Sequence, residues 1–191
     1  MRETLSQLAI EGDGLSYLSL ETLSPAAFDL LQLRDTFGLR SSINTVLRVW
    51  NPSGARASVQ GVFHPFYRGF QSRAAALLGD RTLTVIKGGG GEFERNPAKE
   101  IVLFGLRDGV ELNETAPALL RDTRRLHDPS QPSDLPAFWS GSQDDPFATD
   151  TVIGTAALAH WTLGASDTAA GVTEMANALW INRHTKTRKI A

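Results

Sequence analysis

The chain reads as an α/β fold, with a parallel or mixed sheet and helices on its faces. Three observations predict it. Stretches of helical and strand character alternate through the middle of the sequence. One of those strands, Leu83-Thr84-Val85-Ile86, runs straight into four consecutive glycines. After a proline-rich interval, two strongly apolar helical segments follow. Alternation of this kind lets helices bury their apolar stripes against a sheet.

The elements follow in order. Leu15 to Leu20 reads as a short strand or extended lead-in. Ser24-Pro25 is an N-cap followed by proline at the first helical position. That helix runs to about Phe37, with Phe28, Leu31 and Leu30 inward, and Gly38 ends it. A second helix spans about Ser42 to Trp50 and stops before Pro52. Ala57 to Phe63 is a strand, His64-Pro65 opens a helix to about Leu78, and Gly79-Asp80 breaks it. Arg81 to Ile86 and Glu100 to Leu106 are strands, the second bounded by the hairpin turn Arg107-Asp108-Gly109. Residues 113–146 read as irregular, punctuated by Pro117, Pro129, Pro132, Pro136 and Pro146, with one short helix near Asp134 to Ser140. Thr151 to Leu163 is apolar nearly all round and predicts a buried helix. Asp167 caps the last helix, where Val172, Met175, Ala176, Leu179 and Trp180 share one face. The whole, 1–191, is taken as one partial domain. Three or four strands are few for a doubly wound sheet, so it is expected to belong to a larger α/β domain.

Composition excludes several functions. The chain has 191 residues, 41% hydrophobic and 21% charged, enough for a real core. A net charge of −2 gives no global field to recruit nucleic acid. The sequence has no cysteine, which removes disulfides, thiol nucleophiles and thiolate zinc sites and suits a reducing cytoplasm. No signal peptide is evident, and no run approaches the roughly 20 apolar residues of a membrane helix.

The chemistry concentrates at Lys87-Gly88-Gly89-Gly90-Gly91-Glu92-Phe93-Glu94-Arg95-Asn96-Pro97. Glycines at a strand end allow close backbone approach, and their N–H groups can form an anion-binding concavity. The plainer reading is a surface loop. Neither a Walker loop nor a strict Gly-x-Gly-x-x-Gly fingerprint is present. Lys87 and Arg95 either bind a phosphate beside the glycines or neutralise Glu92 and Glu94 as surface ion pairs. His64 reads as a cap or packing residue and His160 as core or interface. His127 and His184 add no metal-ligand spacing, and no Ser-His-Asp arrangement emerges. Arg183, Lys186, Arg188 and Lys189 form a basic stretch, with a smaller group at Arg121, Arg124 and Arg125. Such clusters bind phosphate backbones, or simply solvate and favour a helix C-terminus. Trp180 reads as core before it reads as a base-stacking platform.

Leu39 to Asn44, Trp50-Asn51-Pro52, Gly61 to Pro65 and Lys87 to Glu92 come in a fixed order. Together they resemble anthranilate phosphoribosyltransferase and its paralogs in the nucleoside-phosphorylase-type glycosyltransferase family, over about Tyr17 to Trp180. The Glu-x-Glu-Arg-Asn-Pro after the glycines resembles the divergent paralog subgroup, which includes reported nucleic-acid binders without transferase activity. The resemblance implies a small helical domain joined to a large α/β domain, usually as a homodimer, of which this chain matches the C-terminal part. It implies a truncated gene product or a half whose partner sits on another chain, because the helical segment and the phosphoribosyl-pyrophosphate loop lie upstream.

The same resemblance implies site residues. Arg34 matches an arginine that contacts the anthranilate carboxylate, a fit for a guanidinium, though a solvated arginine is the equal alternative; Arg40 shares that ambiguity. Asn51-Pro52 and Asn44 read as structural. Lys87, Gly88, Gly89, Gly90 and Gly91 would bind phosphate. Glu92 and Glu94 stand where the enzymes hold Mg²⁺ on adjacent Asp-Glu, here altered to Glu-Phe-Glu. On an extended segment, both carboxylates would still share a face. Phosphoribosyl transfer is therefore implied but not expected from this chain alone. The alternative is a non-catalytic nucleic-acid binder using Arg183, Lys186, Arg188 and Lys189. Association, or exposed apolar patches left by missing strands, is also expected.

Overall fold

The computed structural model describes residues 19–39, 41–89, 92–121 and 134–184. They fall into two compact units that divide between Trp50 and Asn51.

In the first unit, Ser19 caps α1 (Leu20–Leu23) by accepting the Thr22 N–H, so Leu20 is helical rather than extended. Residues 15–18 of the expected lead-in lie outside the described residues, as does Arg40. Ser24 accepts the Ala27 N–H and Pro25 opens α2 (Pro25–Phe37), as the sequence predicts. Gly38 ends it at φ 66°, its N–H donating to the Arg34 carbonyl. The next helix is α3 (Ile43–Val49). No described residue of these helices is buried; Phe28 and Leu31 are half-buried, whereas Leu30 is exposed.

The second unit is built on β1 (Ser58–Val62), α4 (Tyr67–Leu77), β2 (Leu83–Lys87), β3 (Ile101–Arg107) and β4 (Val110–Ala116). The strands lie in the order β1-β2-β3-β4. β1 and β2 are parallel and joined by the α4 crossover, while β2–β3 and β3–β4 are antiparallel, so the sheet is mixed. Asp108 and Gly109 adopt φ 52° and 85°, the two positive values a tight Asp-Gly hairpin needs. β4 carries the ladder through Asn113 to Ala116, inside the stretch expected to be irregular. Its polar Glu111, Asn113 and Glu114 sit on a strand that pairs on one side only among the described residues. Hydrogen bonding to β3, not apolar alternation, makes it a strand.

Helices cover both faces. α6 (Pro146–Thr162) and α7 (Ala169–Ile181) bury Ile153, Ala157, Leu158, Trp161, Val172 and Ala176 against Ile86, Ile101 and Leu103. On the other face, Ala75 of α4 packs with Val62, Leu83, Val85 and Leu106. α6 starts five residues before Thr151, because Asp145 accepts the Ala148 N–H and Pro146 takes the first position. The short α5 (Leu135–Ser140) is capped by Asp134, near where the sequence placed it. Thr168, not Asp167, caps α7, accepting the Gly171 N–H at 3.1 Å. Asp167 instead faces Arg107 at 3.5 Å. Of the expected α7 face, Val172 and Ala176 are buried and Trp180 is half-buried, while Met175 and Leu179 remain exposed.

Candidate functional site

β1 and β2 run parallel, so their carboxyl ends open on the same edge of the sheet, the place where open α/β folds hold ligands. A cavity of about 480 Å³ lies there. Lys87 at the end of β2, Gly88 and Gly89 after it, and Glu94 line the cavity. Arg68 from the first turn of α4, with Lys99 and Glu100 from the approach to β3, complete the charged wall.

The glycine run has an identifiable reason. A Cβ on Gly88 would fall 1.7 Å from the Glu92 carbonyl oxygen, so only glycine allows that approach. The Gly88 N–H, however, donates to the Val62 carbonyl at 3.0 Å, extending the β1–β2 ladder. It is therefore not turned to an anion, contrary to the concavity reading at this residue. Gly90 and Gly91 lie outside the described residues.

The expected Glu92–Glu94 pair is not brought together on this wall. Glu94 lines the cavity half-buried, whereas Glu92 is exposed and does not line it. Among the described residues, no three His, Cys, Asp or Glu side chains gather closely enough to hold a metal ion. The two carboxylates expected to share Mg²⁺, Glu92 and Glu94, are thus not both on the cavity wall. Segment 92–96 is irregular rather than a strand, so alternate residues need not share a face.

Arg95 is not a phosphate ligand either. It is 2% exposed, lying against α6. Its Nη2 donates to the Pro117 carbonyl and its backbone N–H to Thr155 Oγ1 at 3.1 Å. Burial pushes its guanidinium below the ordinary arginine range. Gly154 makes the room: a Cβ there would meet Arg95 Cδ at 2.9 Å.

Other expected residues are placed elsewhere. Arg34 is exposed in the last turn of α2, in the first unit. Asn51 is structural, accepting the Ala55 N–H at 2.9 Å and donating to the Ala55 carbonyl at 2.7 Å. Asn44 likewise donates to the Ser41 carbonyl. His64 sits in a row of rings with Phe63, Phe66 and Tyr67. Arg183 is engaged by the protein: it donates to the Trp139 and Trp180 carbonyls and lies 3.9 Å over the Trp180 ring. Trp180 stacks on Phe138, with centroids 5.2 Å apart. Lys186, Arg188, Lys189, Arg124, Arg125 and His127 lie outside the described residues.

A larger cavity, about 640 Å³, lies at the opposite end of the strands. Two of its three arginines, Arg81 and Arg107, are engaged by the fold. Arg81 donates to the Asp108 carbonyl at 2.6 Å, and Arg107 donates to the Trp161 carbonyl, covers that ring and faces Asp167.

The unit is an α/β fold whose cavity, carrying Arg68, Lys87 and Lys99, lies at the carboxyl ends of two parallel strands, a position where open α/β sheets hold ligands. Similarity to known proteins narrows this. Anthranilate phosphoribosyltransferase 1 of Ralstonia nicotianae is 32% identical over 101 residues, 53% of this chain and 29% of that protein. The anthranilate phosphoribosyltransferases of Ralstonia pickettii and Bordetella avium are each 30% identical, over 53% of this chain and 30% and 29% of those proteins. The matched stretch thus spans less than a third of each relative's length. No family model matches the chain. These matches relate the chain, in part and at some divergence, to the anthranilate phosphoribosyltransferases. No helix among the described residues is long and apolar enough to cross a membrane.

Proposed function

We propose that this chain forms one wall of the donor site in an anthranilate phosphoribosyltransferase-like protein of a reducing cytoplasm. Its cavity takes the phosphorylated sugar of phosphoribosyl pyrophosphate. The observation that carries this is the convergence of Arg68, Lys87 and Lys99 beside the glycine run at the carboxyl ends of β1 and β2. Partial identity to the transferases supports the sugar-phosphate class. Arg34 is an exposed residue of the first unit, and an arginine of that kind can bind a carboxylate. The 191 residues bind but do not turn over, because transfer depends on holding donor and acceptor together away from water, and one wall does neither. Phosphoribosyl pyrophosphate should raise the melting temperature of the purified chain in proportion to the logarithm of its concentration. Anthranilate-dependent release of pyrophosphate should stay at background; steady release would sink the one-wall reading.

A second reading, a nucleic-acid binder, is favoured by a different surface. Phe66 and Phe70 are 64% and 59% exposed, with Phe63, His64 and Tyr67 beside them. Arg73 lies 5.8 Å from the Phe70 ring. Exposed rings among cations form stacking platforms for single strands. The basic Lys186, Arg188 and Lys189 would add phosphate contacts. A fluorescent single-stranded oligonucleotide should bind with steep salt dependence and weaken in Phe66→Ala/Phe70→Ala. Unchanged affinity in that variant would remove this surface from the reading.

A further inference from the structure

We infer that the cavity at the carboxyl ends of β1 and β2 holds its anion on cationic side chains and needs no divalent metal to do so. The inference rests on the phosphate-ligand reading of the same cavity and specifies how that ligand is held.

Three cations reach the cavity from three elements: Arg68 from α4, Lys87 from β2 and Lys99 from the segment before β3. Two of them stand on fixed backbone. Arg68 Nε donates to the Pro65 carbonyl at 3.1 Å, which orients the guanidinium and directs its remaining donors elsewhere. Lys99 follows a tight turn in which Asn96 Oδ1 accepts the Ala98 N–H at 3.0 Å. Pro97 in that turn is fully buried, and its carbonyl accepts the N–H groups of Leu119 and Leu120. Lys99 is thus presented from an anchored turn, which lowers the ordering cost of binding.

The charge balance favours an anion. Three cations face two carboxylates, Glu94 and Glu100. Among the described residues, none of the three cations is paired with an acid. The Gly88 N–H is committed to Val62, so at that residue the backbone offers the anion nothing and the side chains must. The carboxylates expected to share a magnesium ion do not meet here, since Glu92 does not line the cavity. A volume of about 480 Å³ suits a small phosphorylated ligand.

On this arrangement Glu100 repels the ligand, whereas in a metal-bridged site it would help to hold it. The two cases therefore predict opposite signs for one substitution. Calorimetric titrations with inorganic pyrophosphate and with phosphoribosyl pyrophosphate, in EDTA and in excess Mg²⁺, test this. Binding is expected in EDTA. Lys99→Ala should weaken it roughly tenfold, the scale of one charge-assisted hydrogen bond, and Lys99→Arg should restore it. Glu100→Gln should tighten binding in EDTA, a gain that misfolding does not produce. Binding that appears only with Mg²⁺ and is lost in Glu100→Gln overturns the metal-free inference and leaves the phosphate-ligand reading standing. No binding in either medium overturns both.

Discussion

Asp150 shows how a single carboxyl can tie stability to pH. It stands half-buried on α6, and burial raises its pKa above the ordinary 3.8. The folded chain therefore holds this proton more tightly than the unfolded chain does. Stability falls as pH rises from 3.8 through the folded value, and at neutral pH the penalty is fully present. Asp150→Asn should accordingly melt at a higher temperature than the parent at pH 7, with the difference closing at about pH 3. Calorimetric melts at the two pH values decide this; an equal difference at both would show that the carboxylate charge is not the cause. Gly88 gives the opposite kind of residue effect, steric rather than ionic. Gly88→Ala sets a methyl 1.7 Å from the Glu92 carbonyl oxygen, so the backbone must shift. Both the melting temperature and pyrophosphate affinity should drop; an unchanged melting temperature would show that the loop absorbs the methyl without cost.

At the scale of elements, the packing of Arg95 beneath α6 joins the segment after the glycine run to the helix that covers the sheet. Gly154→Ala places a methyl 2.9 Å from Arg95 Cδ and 3.2 Å from Leu119 Cδ1, and overpacking of this kind costs about 1–3 kcal/mol. Shortening Arg95 removes the nearer obstacle. In an Arg95→Ala background, Gly154→Ala should cost much less, and the helix preference for alanine of roughly 1 kcal/mol offsets part of what remains. Urea melts of the four chains in a double-mutant cycle measure this; additive losses would mean that the two residues do not share the space. Nothing local in the sequence points to this pairing. Arg95 stands among charged residues beside glycines, and its partners Pro117 and Thr155 are 22 and 60 residues away. The start of α6 was legible in principle, since Asp145-Pro146 repeats the cap-then-proline pattern of Ser24-Pro25, but the surrounding prolines disguised it. β4 was hidden for another reason: its polar residues carry no apolar alternation, and only its pairing with β3 reveals it.

For the whole molecule, the alternation of elements and the strand-to-glycine junction were readable because periodicity and turn chemistry are local signals. A parallel or mixed sheet with helices on its faces follows from them, and so does the place of Lys87 and the glycine run, on one side of the cavity, at the end of β2. The other side did not, because Arg68 and Lys99 come from separate elements and carry no motif; only the parallel alignment of β1 and β2 brings their ends to one edge. Surface behaviour depends on a similar juxtaposition. The chain has a net charge of −2 and an isoelectric point near 6.1, so long-range repulsion between molecules is weak just below neutral pH. Phe66, Phe70, Leu77 and Leu78 of α4 and its flanks are 64%, 59%, 89% and 71% exposed, a row of apolar side chains with only that weak repulsion to keep copies apart. Light scattering at fixed concentration should therefore peak near pH 6.1 and fall on either side. Phe66→Ser/Phe70→Ser should lower the peak with little change in melting temperature, because both rings already lie in solvent. A scattering profile that is flat with pH, or that the double substitution leaves as it was, would place the driving force for association on some other surface.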